Sequence, residues 1–299
     1  MRGKSKSSIE LIEASHKILE EIQPASVRAI CYRLFTLGKI PDMSKGSTGK
    51  VSKQLVYARE NGLIPWEWIV DETREAESVK TWTDTSEIIR TAVNGYRRDY
   101  WQEQPYRVEV WSEKGTVRGT LAPIIDSYGV TFRAMHGYSS ATVINTIAEE
   151  SNMSEKPLIA FYCGDFDPSG KHMSDVDLPE RIRRYGGNLS IERIALIDLD
   201  VLDGKLPNFK AESKSGDSRY KWFVSNFGTK CWELDAMSPV DLRLRVEDSI
   251  KRLLDLDAWN KAIEIECVEK VSMEEFHKAW KTTQVVNRVR TRFAQPNKE

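Results

Sequence analysis

The stretch 158–173, LIAFYCGDFDPSGKHM, ends an apolar run on two aspartates that stand one residue apart. These are Asp165 and Asp167, and Glu113 ends an earlier alternating segment, YRVEVWSEK. Working residues of a parallel sheet gather at the carboxyl ends of its strands. Carboxylate oxygens suit Mg²⁺, which takes oxygen ligands and keeps several waters. The three acids therefore predict a magnesium site, at which the attacking and leaving oxygens of a phosphodiester exchange would be stabilised.

The Asp-x-Asp tripeptide also has a structural interpretation. Aspartate is a favoured N-cap residue, so a pair at a strand end is often part of a turn that caps the next helix. Pro168 and Gly170 are typical turn residues, and a turn at this point would also bend the chain so that both carboxylates face one cavity. The tripeptide alone leaves the capping turn and the metal site as open alternatives.

The composition of the chain argues against several classes of protein and site. Hydrophobic residues make up 40% of the 299 residues and charged residues 30%, which is normal for a folded protein with a core. No run approaches the ~20 apolar residues of a membrane span, so we expect no membrane partner. The four cysteines lie far apart without a C-x-x-C pair, which disfavours a zinc site or a disulfide framework. A P-loop is excluded because His172 stands where it requires Ser or Thr.

Three short helices near the N-terminus are predicted from apolar residues at helical spacing, at 8–22, 25–40 and about 48–61. A polar loop precedes the third helix, and the segment 64–75, IPWEWIVDETRE, predicts a short strand or a wing. This order outlines a winged-helix domain, whose recognition helix enters the major groove of DNA. The predicted contacts to duplex DNA are Lys45, Lys50, Lys53 and Arg59. A small helical domain that binds protein is the alternative.

The charge of the N-terminal region supports contact with DNA. The whole chain has a net charge of −1, but residues 1–60 contain eleven Lys or Arg against six Asp or Glu. Locally basic regions attract the phosphate backbone, and their affinity for DNA falls steeply with salt. A solvated helix face gives the same count, so this observation has little weight by itself.

From about residue 105 the sequence alternates between strand and helix patterns. This alternation predicts an α/β fold with a parallel sheet and right-handed crossovers. Pro123 lies inside one predicted helix, and Gly95 interrupts a linking helix predicted over 84–100. The expected organisation is a winged-helix domain (1–80), a linking helix region (81–104), a parallel-sheet domain (105–238) and a helical C-terminal region (239–299).

Glu113 and the Asp165–Asp167 pair resemble the motifs of the Toprim domain, the Rossmann-like metal-binding fold of topoisomerases, bacterial primases and some nucleases. In that family a Glu ends the first strand and a D-x-D ends a later one. The segments SEK, FRAMHGYSS and GDFDPSG are also similar to those of the A subunit of topoisomerase VI and its meiotic double-strand-break relatives. The segment CWELDAMSP (231–239) resembles one that follows the Toprim fold in those proteins. Together the similar motifs cover most of residues 25–240.

The resemblance implies a catalytic tyrosine in an R-x-x-x-Y pattern within the winged-helix domain. The segment VRAICYRLF supplies this pattern with Arg28 and Tyr32. A phenol has an ordinary pKa near 10, so Arg28 or a metal-bound hydroxide would have to favour the phenolate. Attack by Tyr32 would leave a tyrosyl link on the 5′ side of a DNA double-strand break, with Mg²⁺ held by Glu113, Asp165 and Asp167.

The resemblance also implies partners and a location. In the family the tyrosine of one protomer meets the metal site of the other, which implies a homodimer on double-stranded DNA. Strand passage by a type IIB topoisomerase needs a separate ATPase subunit of the GHKL type. We expect the protein in the cytoplasm, on the nucleoid, if its source is a prokaryote or a phage, and in the nucleus otherwise.

Two alternatives to the transesterase remain open at the level of sequence. A Toprim nuclease that hydrolyses DNA with water would need the three acids but not Tyr32. A non-catalytic DNA-binding protein would keep the acids only as structural caps. Tyr32 itself, without the Toprim motifs, would be interpreted as a packed aromatic residue of a helix.

Overall fold

The computed structural model describes residues 4–70, 81–135 and 139–281. The chain divides into two compact units. The first consists of Met1–Thr73 and Pro105–Leu253, and the second of Arg74–Gln104 and Leu254–Glu299. Within the described residues, no helix is both long and apolar enough to cross a membrane.

The α-helices in chain order are α1 (Lys6–Ile22), α2 (Val27–Thr36), α3 (Lys45–Glu60), α4 (Thr85–Gly95), α5 (Thr116–Tyr128), α6 (Ala141–Asn152), α7 (Pro168–His172), α8 (Leu178–Arg184), α9 (Asp198–Leu202), α10 (Tyr220–Phe227), α11 (Pro239–Lys251) and α12 (Leu256–Lys281). The strands are β1 (Ala25–Ser26), β2 (Ile69–Val70), β3 (Arg107–Ser112), β4 (Thr131–Ala134), β5 (Leu158–Cys163), β6 (Leu189–Ala195), β7 (Phe209–Lys210) and β8 (Lys230–Cys231). Single turns of 3₁₀ helix lie at Trp66–Trp68, Ala211–Lys214 and Leu234–Ala236, and a π-helical turn at Met173–Asp177 joins α7 to α8.

The three N-terminal helices form around one apolar core, as the spacing of their apolar residues predicts. Leu19, Ile30 and Leu55, one from each helix, are almost fully buried in this core. Serine N-caps fix where α2 and α3 begin, because Ser26 and Ser44 each accept a hydrogen bond from the backbone three residues on. The prediction of three helices is therefore confirmed.

The start of α3 and the form of the predicted wing differ from the expectation. The helix begins at Lys45, three residues earlier than predicted, because the Ser44 cap satisfies a backbone donor of its first turn. Lys45 is thus a helical residue and does not lie in a loop. The segment 64–75 forms a 3₁₀ turn and then β2, which pairs in parallel with β1. Residues 71–75 of that segment lie outside the described residues, so the winged-helix assignment stays a prediction.

The predicted parallel sheet is present, with strand order β4-β3-β5-β6 and all pairs parallel. Such sheets have helices on their faces, and their strands read as apolar runs. The sequence LIAFYC of β5 follows this rule, because this central strand is almost wholly buried. Trp111, Tyr162 and Ile144 belong to one buried cluster, in which side chains of the sheet pack against α6. An α/β fold is therefore confirmed, and its finer assignment to the Toprim fold stays a prediction.

The N-terminal helices pack against the sheet region within the first unit. A Cβ atom on Gly119 of α5 would lie 1.9 Å from Val70 Cγ1, so glycine allows α5 to approach β2 closely. Arg243 of α11 donates hydrogen bonds to the main-chain oxygens of Ile22, Pro24 and Thr120, at 3.1, 3.2 and 3.3 Å. Helix α11 therefore joins the end of α1 to α5.

The second unit is built mainly from α4 and the 26-residue helix α12. Its contacts involve aromatic rings and charged pairs: the Trp259 ring meets Tyr100 and Trp101 edge-on, and Arg98 Nη1 donates to Glu269 Oε1 at 2.8 Å. The predicted linking helix ends at Gly95, where the helical pattern was interrupted. The predicted helical character of 239–281 is confirmed by α11 and α12, and residues 282–299 of the predicted helical region lie outside the described residues.

Candidate functional site

The three predicted acidic residues come from the ends of two neighbouring strands. Ser112 at the end of β3 pairs in register with Cys163 at the end of β5. Glu113 follows the first of these residues directly, and Asp165 and Asp167 follow the second after Gly164. Because the strands are parallel and in contact, all three carboxylates leave the sheet at the same edge.

The charges of these carboxylates influence one another. Burial raises the pKa of Glu113, and the negative charges of Asp165 and Asp167 raise it further. Burial also raises the pKa of Asp165, while the Lys114 ammonium acts in the opposite direction. Like charges held together in a partly buried place favour the binding of a cation.

Two lysine ammonium groups contact the acidic cluster. Lys114 Nζ lies 3.0 Å from Asp165 Oδ1 and 3.0 Å from Asp235 Oδ2. Lys214 Nζ lies 3.2 Å from Asp167 Oδ2. The negative charge of the cluster is thus partly compensated by side chains of the protein itself.

Asp167 caps a helix, as the structural interpretation of the Asp-x-Asp tripeptide predicts. Its Oδ1 atom accepts hydrogen bonds from Gly170 N at 2.8 Å and from Ser169 Oγ at 3.0 Å, which makes it the N-cap of α7. A Cβ atom on Gly170 would lie 2.4 Å from the carbonyl oxygen of Asp165, so this turn requires glycine. Asp167 therefore has a structural role through Oδ1, while its Oδ2 atom contacts the Lys214 ammonium.

The acidic residues fit a hard divalent cation by chemical type, although they are not arranged as a ready metal site. In residues 4–70, 81–135 and 139–281, no group of three or more His, Cys, Asp or Glu side chains is positioned to hold a metal ion. Carboxylate oxygens are the ligands that Mg²⁺ prefers, and a cation would relieve the repulsion that raises the pKa of Glu113. Binding would require Lys114 and Lys214 to release Asp165 and Asp167.

Arg193 of β6 fixes the backbone of the Asp-x-Asp loop, a role that no sequence motif indicated. Its guanidinium group is buried, and burial lowers its pKa. It donates to Ser174 Oγ and to the main-chain oxygens of Gly164, Asp165, Gly170 and Leu196. Arg193 therefore sets the position of Asp165 through the main chain.

We expect Arg193→Met to destabilise the protein by about 3 kcal/mol or more, because one buried side chain donates hydrogen bonds to five atoms and all of these bonds are lost at once. The free energy of unfolding in urea measures this. Arg252→Met is the matched control: Arg252 binds both oxygens of Glu192 but its side chain is 56% exposed. Such exposed pairs contribute about 1 kcal/mol or less. Equal losses in the two variants would contradict the role of Arg193.

The segment 232–235 connects the acidic cluster to α2. Trp232 forms a β-bridge with Phe166, the residue between the two aspartates. Leu234 N donates to Asp165 Oδ1 at 2.8 Å. Asp235 Oδ1 accepts a hydrogen bond at 2.7 Å from Ser26 Oγ, the N-cap of α2. This segment therefore joins the helix of the predicted catalytic tyrosine to the aspartate of the predicted metal site.

Tyr32 and Arg28 lie one turn apart on α2, beside this segment. The guanidinium carbon of Arg28 is 5.8 Å from the centroid of the Tyr32 ring, and Arg28 binds Glu233 through Nε and Nη2. Tyr32 is 5% exposed, and burial raises the pKa of its phenol well above the ordinary value. Glu233 raises this pKa further and Arg28 lowers it. Arg28 therefore acts on this pKa in the predicted direction, but burial and Glu233 outweigh it.

The predicted DNA-binding residues divide into two kinds. Lys45, Lys50 and Lys53 are exposed along α3. Arg59 is buried, with its guanidinium carbon 4.8 Å from the centroid of the Trp66 ring. Arg59 thus packs within the helical module, whereas the three lysines are accessible to a phosphate backbone.

Sequence reasoning did not identify several residues of the site, namely Ser26, Lys114, Arg193, Lys214, Glu233 and Asp235. Two of its segments contained the signal: Lys114 follows Glu113 in SEK, and Glu233 and Asp235 lie in CWELDAMSP. Residues 136–138 of the segment FRAMHGYSS lie outside the described residues. No family model matches this sequence, and no curated protein is detectably similar to it.

Proposed function

We propose that this protein is a Mg²⁺-dependent DNA-cleaving transesterase of the topoisomerase VI A type. Tyr32 is the proposed nucleophile, and Glu113, Asp165 and Asp167 are the proposed holders of the metal ion. The protein would act on double-stranded DNA as a homodimer, and strand passage would require a separate GHKL-type ATPase subunit.

The observation that carries the proposal is a continuous path of hydrogen bonds. Ser26, the N-cap of the tyrosine helix, donates to Asp235. Lys114 then bridges Asp235 and Asp165, with its Nζ atom 3.0 Å from an oxygen of each. These bonds place the N-terminus of the tyrosine helix and the aspartate at the end of β5 in one hydrogen-bonded network, so the proposed nucleophile and the proposed metal ligands belong to the same part of the first unit.

Different residues of the chain have different roles in the proposed reaction. The exposed lysines of α3 would hold the phosphate backbone, and this contact would weaken as salt rises. Arg28 would contact the phosphate next to Tyr32, as guanidinium groups commonly do. The chemistry that Mg²⁺ supplies when bound is Lewis-acid stabilisation of the charge on the reacting phosphate.

The proton of the Tyr32 phenol has to be removed for attack. Because burial and Glu233 raise the pKa of this phenol, it is protonated at neutral pH. A general base must therefore accept the proton as the bond to phosphorus forms. The bond that breaks joins the phosphorus to the 3′ oxygen of the DNA strand, and this oxygen leaves as a free hydroxyl after taking up a proton.

The test of this proposal is an SDS-trapped cleavage assay on plasmid DNA, with Mg²⁺ or with EDTA. We expect a covalent protein–DNA adduct that requires Mg²⁺ and disappears after protease digestion. Ends on which the protein blocks the 5′ terminus would support attack by Tyr32. DNA that stays intact and free of protein under all conditions would overturn the proposal.

A metal-dependent nuclease that uses water is the second candidate, and the burial of Tyr32 favours it. A nucleophile that is 5% exposed must first become accessible, whereas water reaches the partly exposed Asp165 directly. In this case the assay would give cut DNA with free ends and no adduct.

A further inference from the structure

We propose that Arg28 is a binding site for a DNA phosphate and that Glu233 occupies this site in the DNA-free protein as an internal competitor. This inference rests on the proposed function, because it assigns Arg28 to the DNA strand that Tyr32 attacks. It adds a residue, Glu233, that controls access to the nucleophile.

The Arg28–Glu233 contact has the geometry that a guanidinium group adopts with an anion that offers two oxygens. Arg28 Nε donates to Glu233 Oε2 and Arg28 Nη2 donates to Glu233 Oε1, so the pair is bidentate. The same two donors match two oxygens of a phosphodiester. The carboxylate of Glu233 therefore fills the position that a phosphate would take.

The location of this pair makes the competition relevant to Tyr32. Arg28 precedes Tyr32 by one helical turn, and its guanidinium carbon is 5.8 Å from the centroid of the tyrosine ring. A phosphate bound at Arg28 would thus lie beside the phenol. The Arg28 side chain is 44% exposed, so the guanidinium group is accessible from solvent.

Glu233 is held in place by its neighbours and not only by Arg28. Trp232 is bridged to Phe166, and the backbone N–H of Leu234 donates to Asp165. A carboxylate presented in this fixed way competes at a high effective concentration. The incoming phosphate must displace it, and the displaced charge would remain close to the phosphate and repel it.

The Arg28 side chain is 44% exposed and the Glu233 side chain 17%, so solvent reaches the pair from the arginine side. Arg28 keeps an anionic partner when a phosphate replaces Glu233, which suits a contact that opens when DNA binds. The consequence is that a phosphate reaches the tyrosine only when other contacts, such as those of the α3 lysines, already hold the duplex.

The experiment measures binding of a fluorescent duplex by anisotropy, in EDTA, with all variants made in a Tyr32→Phe background so that no covalent step occurs. We expect Glu233→Gln to bind the duplex roughly tenfold more tightly than the background protein, because the competitor has lost its charge. The plot of log affinity against log salt should steepen by about 0.9, the effect of one additional phosphate contact.

Two further variants separate this effect from a general change in charge. Glu192→Gln removes one negative charge from another bidentate pair with arginine, that with Arg252, and should change affinity much less. In an Arg28→Ala background, Glu233→Gln should give no gain, since the site that it opens is absent. Circular dichroism and urea unfolding establish that each variant is folded.

The outcomes distinguish the competitor from the proposed function. If Glu233→Gln and Glu192→Gln raise the affinity for the duplex equally, the role of Glu233 is overturned although the protein still binds DNA. The same holds if the gain in affinity of Glu233→Gln persists in the Arg28→Ala background. Absence of duplex binding in every variant, at all salt concentrations, would overturn the proposed function and the inference with it.

Discussion

Replacement of Tyr32 by phenylalanine is expected to abolish the covalent protein–DNA adduct, with a loss of at least about 10³-fold in its rate of formation. The change removes the nucleophilic oxygen and nothing else, and removal of a nucleophile costs an enzyme of this kind most of its rate enhancement. The measurement is the yield of SDS-trapped adduct with time, in the presence of Mg²⁺.

Tyr57→Phe is the matched control, because it removes a phenolic oxygen from α3 of the same helical module. It should leave adduct formation within about twofold of the original protein. Both variants should unfold at nearly the same urea concentration, since the Tyr32 ring and its burial are retained. Unchanged adduct in Tyr32→Phe would exclude this residue as the nucleophile, and continued cutting without adduct would favour the nuclease that uses water.

Replacement of Glu113 by glutamine is expected to lower Mg²⁺-dependent cleavage by roughly 100-fold or more while raising the stability of the metal-free protein. The loss of activity follows because one of three proposed metal ligands loses its charge. The gain in stability follows because burial and the charges of Asp165 and Asp167 disfavour the ionised form of Glu113. Opposite signs for activity and stability are characteristic of a carboxylate that is kept for function.

The stability difference between the two proteins should depend on pH. A carboxyl group whose pKa is raised in the folded state destabilises the protein fully above the folded pKa. This effect decreases as the pH falls and disappears below the ordinary pKa of glutamate. Glu113→Gln should therefore be more stable at pH 7, and the two proteins should become equal in acid, as measured by urea unfolding in EDTA.

Glu109→Gln, a change on the strand that Glu113 follows, should give the contrasting result. Glu109 accepts hydrogen bonds from Arg133 and from the Trp111 indole, so its loss of charge should destabilise the protein by about 1–3 kcal/mol. Added Mg²⁺ should stabilise the original protein and the Glu109 variant but not Glu113→Gln. Stabilisation of all three by Mg²⁺ would contradict a metal site at Glu113.

The fold was largely predictable, because its helices and strands depend on local patterns. The apolar run of β5 predicts a buried parallel strand, and Pro123 inside α5 did not prevent the helix from forming. The start of α3 was harder to predict, because it depends on a serine cap and because glycines within the segment suggested a loop. Local propensity is weak at helix ends, where a single side-chain hydrogen bond decides the boundary.

The candidate site was predictable only in part. Glu113, Asp165 and Asp167 were identified because residue type and position at a strand end are both visible in the sequence. The roles of Lys114 and Arg193 were not predicted, because both look like ordinary charged residues in the sequence. Only the folded structure places Lys114 between Asp165 and Asp235 and buries the guanidinium group of Arg193 among carbonyl groups.

The sequence by itself determined which residues are able to do chemistry: the acids at the strand ends, and the Arg28–Tyr32 pair on an N-terminal helix. Only the tertiary structure decided which charges face them. Asp235 meets Ser26 and Glu233 meets Arg28, contacts between residues more than 200 positions apart. The physical reason is that ionisation depends on burial and on the nearest charges, and both are set by packing between distant segments and not by the order of residues.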